Sequence, residues 1–328
     1  MATSYEDFSP KFKVGLVQIH PKPLDAEANF STAVSGIREA ASQGASLIVL
    51  PEYHLTSWVP DDPQFATIAR TAYSYVSKYQ QLAKELKVNI VPGTIVTSDP
   101  SQRSNGVAVE ASASENAALL NISPFISYQG ELLGSYTKAN LWHPERPHLT
   151  SGPASQSSME AGHARPQPHS VIETPLGPVG LLICWDLGFP EAFRSLVMQG
   201  AKIIIIPTFW TAFDMSAEGL AYNKDAETLF LKSTLVARAF ENTACVVFCN
   251  AGGPKKDGYV GLSSVTMPIT GTLPGSFDDG RPGVAVVEVD MKLLDIAENN
   301  YKIREDLARD DWHYGYSHST EESNRGRQ

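Results

Sequence analysis

Cysteine is scarce. The 328-residue chain has three, Cys184, Cys245 and Cys249. So few in a chain this long make no disulfide framework, and no second Cys or His cluster with zinc spacing accompanies them. Basic charge is also short: 26 Lys and Arg face 36 Asp and Glu, a formal net charge of −10. The electrostatic footprint of a nucleic-acid binder is therefore missing. No apolar run approaches the length of a membrane span. The N-terminus, Met1 to Pro10, is polar and acidic and lacks the basic and apolar regions of a signal peptide. No glycine loop with a strand before it and Lys-Ser/Thr after it is present to cradle a phosphate, and Asn250-Ala251-Gly252-Gly253 reads as a turn. These absences leave a soluble protein without metal, nucleotide or other cofactor. Its natural compartment is the reducing cytosol, where thiols persist.

What remains is ordinary for a globular chain, with 42% hydrophobic and 19% charged residues. Strand-like runs are Lys13 to His20, Ser46 to Leu50, Val88 to Val96, Ile122 to Tyr128, Gly180 to Cys184, Lys202 to Pro207, Ala244 to Asn250 and Val284 to Val289. Helical periodicity covers Ala28 to Gln43, Tyr73 to Leu86, Pro190 to Gln199 and Ala226 to Glu241. Strands alternating with helices predict a layered α/β fold, and strands apolar on both faces predict that both faces are covered. Thr97 to Ala117 and Ser151 to Ser170, rich in Ser, Pro, Gly or Ala, read as surface insertions, and the tail after Trp312 as polar and loose.

Three motifs carry chemistry. Leu50-Pro51-Glu52-Tyr53 closes an apolar strand with a carboxylate. Tyr136-Thr137-Lys138-Ala139-Asn140-Leu141-Trp142 offers a lysine. Gly180-Leu181-Leu182-Ile183-Cys184-Trp185-Asp186 delivers a thiol at a strand-to-loop junction. Each has a plain alternative: a solvated strand end for Glu52, a surface charge for Lys138, a buried apolar residue for Cys184. Together they have a mechanistic logic. A thiol near neutral pH needs a base or a cation to become a nucleophile. A carboxylate in a dry pocket can take its proton, and a lysine can hold the thiolate and then an oxyanion. Cys245 and Cys249 lie in a buried strand pattern instead, as small apolar residues. Arg238 and Glu241, spaced i, i+3, read as a local ion pair on a helix with Asn242 beside them. Asp186 reads as a brace for the loop after the thiol.

On these motifs the chain resembles the nitrilase superfamily, the carbon–nitrogen hydrolases. The likeness runs from about Lys13 to Val289 and includes Phe189-Pro190-Glu191, Ala237-Arg238-Ala239-Phe240-Glu241-Asn242 and Asn250-Ala251-Gly252-Gly253. It implies a four-layer α-β-β-α sandwich, as a single domain over 1–328 with its core at about 13–289 and with 290–328 as a C-terminal extension at a subunit interface. It implies Glu52 as general base, Lys138 as oxyanion stabiliser, Cys184 as nucleophile, Glu145 as a second positioning glutamate and the Trp185 backbone N–H as an oxyanion donor. The plain alternative for Glu145 is an ion pair with Arg146. A homodimer or larger homo-oligomer is implied as well.

The implied substrate is a small amide, cleaved through an acyl-enzyme to a carboxylic acid and ammonia or an amine. A nitrile is the second possibility, and a catalytically silent binding subunit of the same fold the third. Carbamoylase-like and omega-amidase-like members carry arginines shortly after the cysteine. Here Leu187 and Gly188 stand there, which argues against a dicarboxylic monoamide. Aromatic residues crowd the motifs, and Tyr53, Trp58, Trp142, His143, Phe189, Phe209 and Trp210 are the expected substrate contacts. Large rings beside catalytic loops predict an apolar pocket for a neutral amide.

Overall fold

The computed structural model describes residues 11–98, 118–152, 169–312 and 314. Two sheets face each other. The first orders β13 (Gly283–Asp290), β1 (Lys11–Gln18), β2 (Leu47–Val49) and β3 (Asn89–Val91); β3 and β4 (Ile95–Ser98) pair with one edge of β5 (Leu119–Ile126), and β6 (Leu132–Thr137) with its other edge. The second orders β12 (Gly271–Thr272), β11 (Ser264–Met267), β10 (Cys245–Asn250), β9 (Ile203–Thr208), β8 (Gly177–Leu181) and β7 (Val171–Thr174). Each has a parallel trio at its centre, β1-β2-β3 in one and β8-β9-β10 in the other, flanked by antiparallel strands.

Residue alternation decides the layers. Val14, Leu16, Leu47, Val49 and Val91 point from the first sheet toward Leu181, Ile203, Ile205, Cys245 and Val247 of the second, in one buried cluster. The intervening positions Val17, Ile48, Leu50, Ile90 and Ile126 face helices α1 (Ala26–Ser42) and α3 (Ser74–Leu86), meeting Ile37, Val76 and Tyr79. On the outside of the second sheet lie α4 (Pro190–Met198) and α6 (Ala226–Asn242). There a Cβ on Gly180 would come within 2.6 Å of Leu196, so helix and strand approach closely only because the residue is glycine. The order is therefore α-β-β-α, as expected. No described helix is long and apolar enough to cross a membrane.

Several boundaries differ from the sequence expectation. The run Val88 to Val96 is two strands, β3 and β4, which pair one after the other with the same edge of β5, across from β6. Pro92 removes a ladder donor, and Gly93 has φ +66° with its Cβ position 1.9 Å from the Pro51 carbonyl oxygen, so the ladder is interrupted there. The strand before the thiol ends at Leu181, and Cys184 instead opens a 3-10 turn, Cys184–Gly188. Short elements escaped notice: α2 (Pro63–Ala72), α5 (Ala217–Tyr222), α7 (Lys292–Tyr301), α8 (Ile303–Leu307) and strands β6, β7, β11 and β12. Leu294, Ile303, Leu307 and Trp312, beyond the expected core, pack against the central cluster. The two expected insertions lie outside the described residues except at their edges, where Thr97 and Ser98 belong to β4. The tail after Trp312 also lies outside them, apart from Tyr314.

Candidate active site

The carboxyl ends of the parallel strands of both sheets converge. Glu52 follows β2, Cys184 follows β8, and Phe209 and Trp210 follow β9. The sheets are tied there: the Glu52 N–H donates to the Thr208 carbonyl at 3.2 Å, and the Phe209 N–H donates to Glu52 Oε2 at 2.9 Å. Lys138 follows β6, and Glu145 ends a 3-10 turn, His143–Glu145.

Lys138 Nζ donates to Glu52 Oε1 at 2.9 Å and to Glu145 Oε1 at 2.7 Å. All three side chains are 2% exposed or less. Glu145 Oε1 also accepts from the Tyr53 hydroxyl, and its Oε2 accepts from the Trp142 N–H at 2.8 Å. Glu145 thus pairs with Lys138 and not with its neighbour Arg146. Asn121 Nδ2 adds a third donor to Glu52, at 2.8 Å from Oε1. A lysine between two buried carboxylates leaves the cluster one negative charge in excess when both are ionised.

Burial and that excess together set the protonation states. Burial raises Glu52 to about 7; the Lys138 ammonium opposes this and Glu145 adds to it. Burial also pushes the Cys184 thiol well above its ordinary range, and the charge of Glu52 pushes the same way against Lys138. Lys138 loses some proton affinity to burial but gains more from Glu52, Cys184 and Glu145, so it stays an ammonium. The resting pair at neutral pH is a thiol beside a carboxylate that takes up and gives back a proton readily.

Cys184 has φ +46°, a left-handed conformation uncommon for any residue with a Cβ. Its Sγ lies 3.8 Å from the Phe209 carbonyl oxygen. Asp186 braces the turn: Oδ2 accepts from Ile183 N–H and the Tyr136 hydroxyl, each at 2.9 Å, and Oδ1 accepts from Asn140 Nδ2 at 2.8 Å. Arg238 Nε donates to the Leu187 carbonyl at 3.2 Å while its guanidinium holds Glu241 at 2.8 Å. Asn242 bonds back to the Arg238 carbonyl and is buried in the helix packing rather than on the cavity wall. Among the described residues, no hydrogen bond takes up the Trp185 N–H.

Cys184, Glu52, Lys138 and Glu145 open on one cavity of about 530 Å³. Tyr53, Trp58, Trp142, His143, Trp185, Phe209 and Trp210 line it. Phe189 does not. It precedes α4 and packs edge-on to Trp185, ring centroids 5.8 Å apart, so it buttresses a wall residue from behind. The sequence reading missed Asn121, which lies at the edge of the expected strand Ile122 to Tyr128. It also missed Thr211, Asp214, Met215, Glu227 and Phe230, which with Pro144 complete the wall. Asn250, the last residue of β10, fixes Trp210: its Oδ1 accepts from the Trp210 N–H at 2.8 Å and its Nδ2 donates to the Trp210 carbonyl at 3.0 Å.

Fold and constellation together define an α-β-β-α protein built around a cavity thiol and a buried acid–lysine–acid cluster. The carbon-nitrogen hydrolase family model matches residues 13–297, and the chain belongs to that family: it is a carbon–nitrogen hydrolase. It is 30% identical to a deaminated glutathione amidase of Bos taurus over 299 residues, 90% of this chain and 81% of that protein. Its fold is similar to that of Saccharomyces cerevisiae Nit3, a member of branch 10 of the nitrilase superfamily, with a TM-score of 0.70 at 22% identity over 94% of this chain and all of the other. It is also similar, with a TM-score of 0.63 at 22% identity over 89% of this chain and 94% of the other, to a mutant of an amidase from Nesterenkonia sp. That structure shows covalent addition of the acetamide moiety of fluoroacetamide at the active-site cysteine.

Proposed function

We propose that the chain hydrolyses a small amide through a thioester on Cys184. The observation that carries this reading is Lys138, held between Glu52 and Glu145 on the wall of the cavity that also exposes the thiol. Glu52 takes the thiol proton as sulfur attacks the carbonyl carbon. Lys138 Nζ and the Trp185 N–H receive the oxyanion. The C–N bond breaks as Glu52 returns the proton to the leaving nitrogen, so ammonia or an amine departs and the acyl group stays on sulfur. Water enters, Glu52 takes its proton, the tetrahedral adduct collapses, and the thiol regains its proton as the carboxylic acid leaves. Glu145 holds Lys138 and Tyr53 in place throughout. Tyr53, Trp58, Trp142, His143, Phe209 and Trp210 contact the substrate.

The protonation states support a base acting during attack rather than a preformed thiolate, because burial and Glu52 both hold the proton on sulfur. The amidase among the relatives and the cysteine adduct of the Nesterenkonia protein support the same chemistry. We further read the chain as one catalytic domain, working in the reducing cytosol with its three free cysteines. A homodimer is part of this reading, supported by Phe213, Tyr222 and Leu229, apolar side chains 59–89% exposed on neighbouring elements.

The test is a panel of primary amides and nitriles with intact-mass detection. Wild-type protein gains the acyl mass during turnover, and Cys184→Ala gains none and releases no ammonia while keeping its circular dichroism. Turnover by Cys184→Ala refutes the scheme.

A further inference from the structure

We propose that the cavity wall opposite the acid–lysine–acid cluster is a cation subsite, in which Glu227 and Asp214, framed by the rings of Trp185, Trp210 and Phe230, hold a protonated amine at the non-reacting end of the amide substrate. The inference rests on the reading of Cys184 as nucleophile.

The charges of the cavity are one-sided. Glu52, Glu145, Asp214 and Glu227 line it against Lys138 as the permanent cation, and no arginine is among the lining residues. Lys138 is committed to Glu52 and Glu145. Among the described residues no ion pair reaches Asp214 or Glu227. Glu227 is 7% exposed, yet only one of its oxygens is used: Oε2 accepts from Trp210 Nε1 at 2.6 Å, and Oε1 has no hydrogen-bond partner among the described residues. Asp214 accepts from the Thr211 N–H and hydroxyl, both at 3.0 Å. A carboxylate this buried without a cation is costly to keep. It is retained at low cost where a ligand brings the cation.

The rings give a second, independent indication. Trp210 stacks on Phe230 at 5.3 Å between centroids and lies 5.6 Å from Trp185. Aromatic faces attract an ammonium through the ring quadrupole, tryptophan most strongly. The Nε1 bond to Glu227 fixes the Trp210 ring beside that same carboxylate. Burial raises Asp214 to about 6 and Glu227 in the same direction, the shift of acids that lack a counter-charge. The aromatic residues taken alone favour a neutral amide; the two carboxylates among them favour an amide with an amine at its far end. A substrate ending in carboxylate would meet Asp214 and Glu227 with no arginine to receive it.

The experiment uses δ-aminovaleramide, hexanamide and adipic monoamide, which share one chain length and differ in the end group. The expected kcat/KM for the ammonium-ended amide is about tenfold or more above hexanamide, carried by KM, with adipic monoamide slowest. In Glu227→Gln, whose amide oxygen can still accept from Trp210, the ratio of the first two falls toward one. A second readout needs no turnover: n-butylammonium slows alkylation of Cys184 by iodoacetamide more than butanol does in wild type, and not in Glu227→Gln. Equal rates for ammonium and methyl ends in wild type, equal protection by the two additives, or a preference that survives in the Asp214→Asn/Glu227→Gln double variant overturns the subsite. If none of the three amides is cleaved, the amidase reading fails, and the alkylation result still decides the subsite.

Discussion

Replacing Glu52 by Gln should change how stability depends on pH, and the size of the change follows from the buried cluster. In the folded protein Glu52 titrates near 7 against an ordinary value of 4.5. Between those values the folded state binds a proton that the unfolded state has released. Stability linked to this group is therefore highest below the unfolded value and is lost as pH rises through the folded one. At roughly 1.4 kcal/mol for each tenfold change in proton affinity, the span amounts to about 3 kcal/mol. Glutamine carries no such proton. Its amide oxygen can still accept from Asn121 and Lys138, while its NH2 group faces the Phe209 N–H, a donor conflict that costs about 1–3 kcal/mol at every pH. The difference in urea-unfolding free energy, variant minus wild type, should thus rise by about 3 kcal/mol from acid to alkaline pH, most of it between about pH 5 and pH 8. Hydrolysis should be lost throughout. Parallel stability curves, or a difference that grows as pH falls, would sink the claim that Glu52 is a buried acid with raised proton affinity.

Asn121→Leu removes a hydrogen bond donated to the ionised form of Glu52 and relieves Asn121 Oδ1, which has no partner. The acid limb of kcat/KM should move up by about one pH unit, since a bond to a charged group contributes about 1.5–3 kcal/mol before relaxation; an unmoved limb counts against Asn121 as a positioning residue. Asp186→Ala strands the Ile183 N–H, the Tyr136 hydroxyl and the Asn140 amide. Urea unfolding should show a loss of about 3 kcal/mol, and a loss below about 1 kcal/mol would show that the turn at Cys184 is held by something else.

The layers were legible because period-two alternation with both phases apolar can only describe a covered strand, and Ser46 to Leu50 and Lys202 to Pro207 have that pattern. The placement of Glu52 and Cys184 just past strand ends was legible for the same reason: they interrupt apolar runs where the ladder stops. Other elements left weaker traces. The polar Ser135 and Thr137 and the small Gly134 gave β6 no strand signature, although it carries the chain into Lys138. Phe189 lies close to the nucleophile along the chain, but the turn at Cys184–Gly188 carries it behind Trp185. Asp214 and Glu227 were opaque for a different reason. A glutamate in the first turn of α6 reads as a complement to the helix dipole. Nothing local reveals that its side chain turns inward to the Trp210 indole.

The excess negative charge links these observations. Burial is the main cause that raises Glu52 to about 7; Lys138 opposes it, and Glu145 adds to it. With burial and the second carboxylate of Glu145 acting together, an acid poised near neutrality lies beside a thiol that keeps its proton. The arrangement stores no reactive thiolate at rest. In the proposed mechanism it becomes a nucleophile only when a carbonyl reaches Lys138 and the Trp185 N–H, because only then does the charge leaving sulfur have somewhere to go. In that mechanism Glu145 adds to burial and Glu52 in holding the proton on sulfur, so that a bound carbonyl, rather than a chance electrophile, is what releases it.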